Sequence, residues 1–190
     1  MRKNFGVQTW LYPMPVLMIG TYDENGTPDA MTAAWGGIHD TNQIGVCIDP
    51  SHKTAENLQL QKCFTLAIGD AAHVKECDYL GLVSGKDEPE KLKKAGLHTV
   101  KSDFINAPVI EEFPMTIECR LLSYDTKAGC ATAEIVNISV DEEYIDNDGK
   151  IDTEKMRPLC FDPVHHLYRE LGPIVGTAFK DGIELKNNNL

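Results

Sequence analysis

Short apolar runs separated by turn-forming residues constrain the fold of this chain more than any other feature of its sequence. The first run, residues 15–22, ends in Asp-Glu-Asn-Gly over residues 23–26. Asn-Gly between apolar runs is a strong hairpin signal because both residues tolerate positive φ. The second arm begins near Pro28 and continues to Trp35, and a further strand candidate covers residues 44–48. The first 50 residues therefore predict a β-meander.

The rest of the chain continues this pattern, with two or three helices between the strands. Residues 55–61 are free of Gly and Pro and follow a proline stop with several capping side chains, which predicts a short helix. Many short strands joined by hairpins favour a mainly β protein, a closed or nearly closed barrel decorated by helices. The further elements predicted are helices over 72–83 and 89–95 and strands over 64–69, 115–124, 131–140 and 158–161.

Composition predicts one soluble domain over residues 1–190. Hydrophobic residues make up 42% of the chain, enough for a sizeable core, and no linker separates two domains. The formal net charge of -11 is the wrong sign for a nucleic-acid backbone or an anionic lipid surface. Apolar runs also fall short of the roughly 20 residues that a membrane helix needs. We therefore expect neither nucleic acid nor a membrane as a partner.

The six cysteines are scattered without a C-x-x-C pair, which indicates neither a disulfide framework nor a zinc site. The amino-terminal residues are basic, but Gln8, Thr9, Pro13 and Pro15 interrupt the apolar stretch that an export signal needs. These two observations predict reduced thiols and a cytoplasmic location.

Residues 49–54, Asp-Pro-Ser-His-Lys-Thr, are the strongest local candidate for a ligand site. They place two hydroxyls, an ammonium group and a histidine at the start of a helix, where the first amides have no partner within the helix. Such a helix start is a phosphate cradle in outline. Ordinary helix capping by Asp49, Ser51 or Thr54 explains the same residues without a ligand, so both interpretations are kept.

Residues 29–37, Asp-Ala-Met-Thr-Ala-Ala-Trp-Gly-Gly, are the second candidate. Their small side chains let a flat ligand approach the backbone, while Met31 and Trp35 supply apolar surface. Backbone amides there can bond to the carbonyl oxygens and nitrogens of a ring. The alternative is a buried strand that ends in a glycine loop.

These two segments, followed by Phe-Thr-Leu-Ala at residues 64–67, resemble the flavin reductase-like family. The similarity extends from about Trp10 to near Val140, and residues 171–182 resemble the closing segment of the family's flavoredoxin branch. The resemblance implies an FMN-binding split β-barrel, and a homodimer with FMN near the interface between subunits. A barrel that binds another planar cofactor, such as haem, is the alternative.

The resemblance also implies which residues bind the cofactor. Lys86 matches the family's basic residue that reaches the cofactor, although a solvated surface lysine explains it equally well. The flavin ring is expected against Met31, Thr32, Ala33, Ala34 and Trp35, and the phosphate in the loop of Asp49, Ser51, Lys53 and Thr54.

Two departures from the family pattern affect these expectations. The family often has Asn where this chain has Asp29, so a donated amide hydrogen bond is replaced by an acceptor. The chain also lacks the Gly-Asp-His signature of the family's two-component monooxygenase reductases, and Val-Asn-Ile-Ser-Val stands in that strand at residues 136–140. The second departure weakens the case for fast hydride uptake from NADH.

The implied function is that of an oxidoreductase that passes reducing equivalents from NAD(P)H or a protein donor to flavin or another acceptor. The alternative is a non-enzymatic, flavoredoxin-like electron carrier between redox protein partners. Flavin chemistry is the cofactor's own, so no side chain is assigned as a catalytic acid or base, and no metal site is expected. Three other signals are set aside: residues 146–149 as a hairpin turn, His165 and His166 as structural, and Cys77 as an inert core cysteine.

Overall fold

A computed structural model describes residues 1–187 of the chain. Most of its regular structure is β, and the helices are short. The strands are β1 (Met14–Pro15), β2 (Leu17–Tyr22), β3 (Pro28–Ala33), β4 (Gly36–Asp40), β5 (Gln43–Cys47), β6 (Cys63–Ile68), β7 (Thr99–Lys101), β8 (Pro108–Ile110), β9 (Met115–Asp125), β10 (Cys130–Val140), β11 (Leu159–Asp162) and β12 (Leu167–Glu170). The helices are α1 (Lys53–Gln61), α2 (Val74–Leu82), α3 (Lys91–Lys94), α4 (Thr153–Met156) and α5 (Ile183–Asn187).

Seven strands form one antiparallel sheet in the order β3-β2-β6-β9-β10-β5-β4. This order puts β3 and β4 at opposite edges, yet only Ala34 and Trp35 separate them along the chain. Because each residue spans at most about 3.6 Å, the two edges must lie close together. The sheet is therefore curled into a nearly closed barrel, as predicted. A three-stranded sheet, β1-β11-β12, and the β7-β8 hairpin lie beside it.

The hydrophobic core occupies both faces of the curled sheet, and β2 contributes to each. Leu17 and Ile19 pack in one cluster with residues of α1, while Met18 packs in a second cluster with residues of α2. Burial on both faces explains why the sequence of β2 is continuously apolar rather than alternating. The same packing holds α1 and α2 against the β2-β3 pair, which sets the geometry of the site described below.

The first hairpin is confirmed at its turn. The Asp23 carboxylate accepts hydrogen bonds from the amides of Asn25 and Thr27, at 2.9 and 2.8 Å. Gly26 adopts a φ of 79°, which a residue without a Cβ reaches at no steric cost. The predicted strands over 44–48, 64–69, 115–124, 131–140 and 158–161, and the helices over 55–61, 72–83 and 89–95, are all present with shifted ends.

The sequence did not predict the two-residue strand β1 or four other strands. The glycines at 36 and 37 suggested a loose connection, but β4 begins there and pairs with β5 along the sheet edge. Backbone hydrogen bonds hold this pair, and they do not depend on the propensity of the side chains. The second arm of the first hairpin is also shorter than expected, because β3 ends at Ala33 rather than at Trp35. The other unpredicted strands are β7, β8 and β12.

Candidate functional site

A cavity of about 180 Å³ lies where the first turn of α1 meets β3 and the segment that follows α2. We call it the helix cavity. It unites the two segments that the sequence singled out, because Met31 comes from the second of them and Lys53 and Thr54 from the first. Its lining comprises Asp29, Met31, His52, Lys53, Thr54, Leu80, Gly81, Leu82, Val83, Ser84, Gly85 and Lys91.

The first turn of α1 presents backbone amides without acceptors. His52 occupies the N-cap position and makes no side-chain cap, and within residues 1–187 the amides of Lys53 and Thr54 donate to no acceptor. The Asp49 carboxylate instead accepts from the hydroxyl and the amide of Ser51, at 2.6 and 2.9 Å, which holds the pKa of Asp49 below its usual range. The Asp49 side chain therefore orders the loop before α1 and does not cap the helix.

Behind the amides lies a buried ion pair. Asp29 and Lys91 are 3% and 2% exposed, and Oδ1 of Asp29 is 3.3 Å from Nζ of Lys91. Lys91 also donates to the Val83 carbonyl at 3.0 Å, and the Thr54 hydroxyl donates to Oδ2 of Asp29 at 3.2 Å. Burial lowers the pKa of Lys91, and the charge of Asp29 opposes that shift. Both oxygens of the Asp29 carboxylate thus face a donor, and the carboxylate balances the Lys91 charge. The amide of an asparagine would place a donor at one of these two positions and would carry no charge.

Gly85 makes this arrangement possible. A Cβ at position 85 would overlap Oδ1 of Asp29, so a side chain there would displace the carboxylate from Lys91. The backbone of the loop after α2 can therefore close over the cavity only with glycine at this position.

Two further lysines, Lys53 and Lys86, lie near the first turn of α1. Nζ of Lys53 is 3.4 Å from Oδ2 of Asp23 and 3.4 Å from the Gly85 carbonyl, so both of its contacts are long. Lys86 is more exposed, and its Nζ donates to Oε1 of Glu56 at 2.6 Å and to the Ser51 carbonyl at 2.8 Å. Lys53 therefore lines the cavity, whereas Lys86 ties the preceding loop to α1 from outside it.

A shallow groove continues from the helix cavity along β3, and we call it the strand groove. Its first part, about 230 Å³, lies between the Thr32, Ala33 and Ala34 segment and the end of α2. Its second part, about 370 Å³, lies between Trp35 and the amino-terminal arm, residues 8–15. Trp35 is 54% exposed. Small side chains along this path leave room for a flat group beside the backbone.

Within the strand groove, one predicted residue has its polar group already used. The Thr32 hydroxyl donates to the Cys77 carbonyl and so fixes the middle of α2 against β3. Position 81 is glycine, and a Cβ there would lie only 3.3 Å from Cβ of Thr32. Thr32 therefore positions the wall of the groove rather than offering a free donor to it.

Sequence reasoning missed part of the wall of the helix cavity. Lys91 and the residues from Leu82 to Ser84 all line it, together with His52, which the candidate segment 49–54 already included. Lys91 stands in a run of three closely spaced lysines, and no local pattern distinguishes it from Lys93, which is 80% exposed. Its burial follows from the packing of α3 against β3, a contact between residues far apart in the chain.

The signals that were set aside have structural explanations. Residues 146–149 form a turn closed by a bridge between Ile145 and Ile151. Nδ1 of His165 lies 3.0 Å from Oδ2 of Asp162. Cys77 is fully buried, and burial raises the pKa of its thiol to about 12. Within the described residues, no helix has the length and apolarity to cross a bilayer.

Comparisons with known proteins agree with this geometry. A family model described as flavin reductase like domain matches residues 9–164. The structure resembles the flavoredoxin of Desulfovibrio vulgaris, with 34% identity, a TM-score of 0.92 and coverage of 96% of this chain and 100% of that one. It also resembles a flavoredoxin from Methanosarcina acetivorans, with 27% identity, a TM-score of 0.87 and coverage of 97% and 100%.

Two more distant matches complete the comparison. An FMN-binding domain of a flavin reductase-like enzyme from Shewanella baltica has a TM-score of 0.77 at 18% identity, covering 86% of this chain and 88% of that one. These structural matches confirm the predicted fold class, a split β-barrel decorated by short helices. An uncharacterized protein of Aeropyrum pernix is 28% identical over 114 residues, which are 59% of this chain and 43% of that protein.

Proposed function

Because the chain belongs to the flavin reductase-like family, a family of FMN-binding flavoproteins, we propose that it binds FMN with the phosphate in the helix cavity and the ring along the strand groove. One observation carries the proposal: within residues 1–187 the amides of Lys53 and Thr54 have no acceptor, and the Lys53 side chain lines the same cavity. The partial positive charge of a helix N-terminus and its free amides stabilise a bound phosphate.

The charges around the helix cavity suit a dianionic phosphate. Lys53 is held by two long contacts, so its Nζ can turn toward an anion at little cost. Lys91 lies deeper and is already paired with Asp29, so its charge is largely balanced before a ligand arrives. We therefore assign Lys53 and the two amides as the phosphate contacts, and Lys91 as the residue that positions Asp29 and Thr54 beneath them.

The strand groove suits the isoalloxazine ring. Ala33 and Ala34 leave the β3 backbone accessible, and Met31 and Trp35 supply apolar surface at either end. Bound FMN supplies the hydride and electron transfer chemistry, while the protein orients the ring and limits the access of water to it. No side-chain acid or base is required for that role.

We further propose that a second copy of the chain completes the site. The helix cavity alone is smaller than the roughly 300 Å³ of a typical ligand pocket, and the strand groove is open to solvent. Apolar residues are exposed both near the groove, at Trp35 and Ile38, and on the carboxyl-terminal segment, where Phe179 is 99% exposed. Exposed apolar surface of this extent is typical of an interface.

The source and destination of the electrons divide the proposal into two candidate functions. As an enzyme, the protein would take reducing equivalents from NAD(P)H and pass them to flavin or another acceptor. As a carrier, it would pass electrons between redox protein partners in the cytoplasm and react poorly with nicotinamides. The two similar proteins named flavoredoxin, at 34% and 27% identity, favour the carrier.

Two measurements test these proposals. Titration with FMN and with riboflavin, followed by flavin fluorescence, should show tighter binding of FMN because riboflavin lacks the phosphate. Equal affinity for the two flavins would show that the phosphate does not bind in the helix cavity. Failure to bind either flavin would overturn the whole proposal. Anaerobic addition of NADH or NADPH to the FMN complex should bleach its absorption if the protein is the enzyme and leave it unchanged if it is the carrier.

Sedimentation of the FMN complex tests whether a second copy of the chain completes the site. We expect a dimer, with Phe179→Asp shifting it toward monomer and weakening FMN binding together. A monomer that holds FMN as tightly as the wild type would contradict the shared site.

A further inference from the structure

Two cysteines that are distant in the sequence face each other across the sheet. Cys47 is the last residue of β5 and Cys130 the first of β10, and the antiparallel register pairs them directly. Their Sγ atoms are 2.8 Å apart. Residues directly opposite in an antiparallel pair have Cα atoms about 4.5 to 5.5 Å apart, within the range that a disulfide bridges. The two thiols can therefore be joined without moving the strands.

Exposure and contact set this pair apart from the other four cysteines. Cys63, Cys77 and Cys119 are buried, and burial raises the pKa of Cys77 and of Cys119 to about 12. Cys160 is partly exposed, but within residues 1–187 it contacts no other thiol. Cys47 and Cys130 are both partly exposed, so a small molecule can reach them. Among the described residues, theirs is the pair of thiols in direct contact.

We propose that Cys47 and Cys130 form a two-electron redox site, which interconverts between a dithiol and a cross-strand disulfide by exchange with low-molecular-weight disulfides. In the first step the thiolate of one of the two cysteines attacks one sulfur of the small disulfide, whose S–S bond breaks and releases one thiol after uptake of a proton. In the second step the other cysteine loses its proton and attacks the protein sulfur of the mixed disulfide, which releases the second thiol. The protein loses two electrons and two protons, and the small disulfide gains them.

The contact between the two sulfurs favours the second step. Once a mixed disulfide has formed on either cysteine, the other is already in contact with the sulfur that it must attack. The hydrogen bond with the Cys130 sulfur, and then burial, raise the pKa of Cys47 to about 11. Because the thiolate is the nucleophile, the exchange should become faster as the pH rises.

The pair adjoins both parts of the candidate flavin site but does not depend on them. The Cys47 amide donates to the Trp35 carbonyl at 2.8 Å, and the Ile48 amide donates to the Gly129 carbonyl at 2.7 Å. A disulfide would therefore link the start of β10 to the end of β5, which bonds to the Trp35 carbonyl and leads into the loop beginning at Asp49. The chemistry itself needs only the two strands, so it can be tested without flavin.

The test equilibrates the full-length protein with glutathione disulfide over a range of ratios to reduced glutathione, then blocks free thiols by rapid alkylation. We expect the wild type to lose two alkylatable thiols and to give a peptide in which Cys47 is linked to Cys130, reversibly on adding dithiothreitol. The control variant Cys160→Ser should behave identically. Wild-type protein in which both thiols stay alkylatable at excess glutathione disulfide, or in which Cys130 accumulates a stable glutathione adduct, would overturn the proposal.

Single variants test whether each thiol needs the other. Cys47→Ser should stop at a glutathione adduct on Cys130, and Cys130→Ser at an adduct on Cys47, because in each variant the resolving thiol is missing. An intramolecular disulfide in either variant would show that another cysteine supplies the second thiol and would overturn the assignment of the pair. The reaction of the wild type still tests the disulfide if either variant folds poorly.

Discussion

The helix cavity and the strand groove adjoin along β3, but they are built in different ways. The helix cavity is lined by polar groups whose charges are balanced within one chain, with Lys91 paired to Asp29 and Thr54 bonded to the same carboxylate. The strand groove is shallow and largely apolar, and Trp35, which lines it, is 54% exposed. A single chain therefore prepares the phosphate end of the proposed site, while the ring end needs a covering surface.

This difference separates the consequences of mutation. In the helix cavity, removing one buried charge leaves the other without a partner in an apolar setting. Mutation of these charges should therefore change both the stability of the fold and the affinity for FMN. In the strand groove, exposed residues contribute little to folding, so changes there should alter binding alone. Measuring stability and FMN affinity for the same variants tests the distinction directly.

The largest effect is expected from Lys91→Met, which keeps the length of the side chain and removes its charge. Asp29 would remain buried without its partner, which should lower the free energy of unfolding by about 3 kcal/mol. Urea unfolding followed by circular dichroism measures the change. Lys93→Met on the same helix is the control, since that side chain is 80% exposed and should change stability little. Equal stability of the two variants would show that the Asp29–Lys91 pair is not coupled to the fold.

The next effect concerns binding at the same cavity. Lys53→Met should weaken FMN by about 2 kcal/mol, or roughly 30-fold, because a charge-assisted contact to the phosphate is lost. Its affinity for riboflavin should not change, since riboflavin has no phosphate. Fluorescence titration with both flavins gives the comparison, again with Lys93→Met as the control. An equal loss of affinity for both flavins would instead indicate that Lys53 lies near the ring.

Sequence reasoning predicted the local features that have local causes. The first hairpin depends on Asp23 and Gly26 in one turn, and the start of α1 follows a proline stop, so both are visible in a short window. The two site segments were also found, because each carries its small or polar residues consecutively. The interpretation of Asp49 as a possible helix cap was the part that the structure revised, since its carboxylate bonds to Ser51.

The features that escaped prediction depend on distant parts of the chain. Lys91 is buried because Asp29, some 60 residues earlier, lies opposite it in the folded chain, and nothing near position 91 signals this. The contact between Cys47 and Cys130 likewise arises from the pairing of β5 with β10. The strand β4 was missed because its glycines favour a turn, whereas edge pairing with β5 decided its conformation.

A smaller effect is expected from Trp35→Ala in the strand groove. Loss of its indole should weaken FMN and riboflavin alike by about 1 kcal/mol, or roughly fivefold, because an aromatic contact to the ring is removed. Stability should stay within about 0.5 kcal/mol of the wild type, as for other exposed positions. The same titrations and urea unfolding measure both quantities. A larger loss of affinity for FMN than for riboflavin, or a large loss of stability, would show that the strand groove does not differ from the helix cavity in this way.

The smallest effect is expected where the amino-terminal arm forms the outer wall of the strand groove. The Tyr12 hydroxyl donates to Oδ1 of Asp162, and this bond, followed by those from His165 and Arg169, holds the pKa of the Asp162 carboxyl well below its usual range. Because these bonds favour the charged carboxylate, their contribution is complete above about pH 4 and is lost as the pH falls through the lowered pKa.

Replacing Asp162 by Asn at neutral pH should therefore loosen the arm as acid does, without unfolding the barrel. Chymotrypsin should cleave the variant faster after Trp10 or Leu11, while its urea midpoint stays close to that of the wild type. Tyr12→Phe is the matched control, because it removes one hydrogen bond and keeps the ring, and it should show an intermediate rate. If chymotrypsin cleaves Asp162→Asn no faster than the wild type, packing rather than these hydrogen bonds holds the arm. The wall of the strand groove would then be as stable as that of the helix cavity.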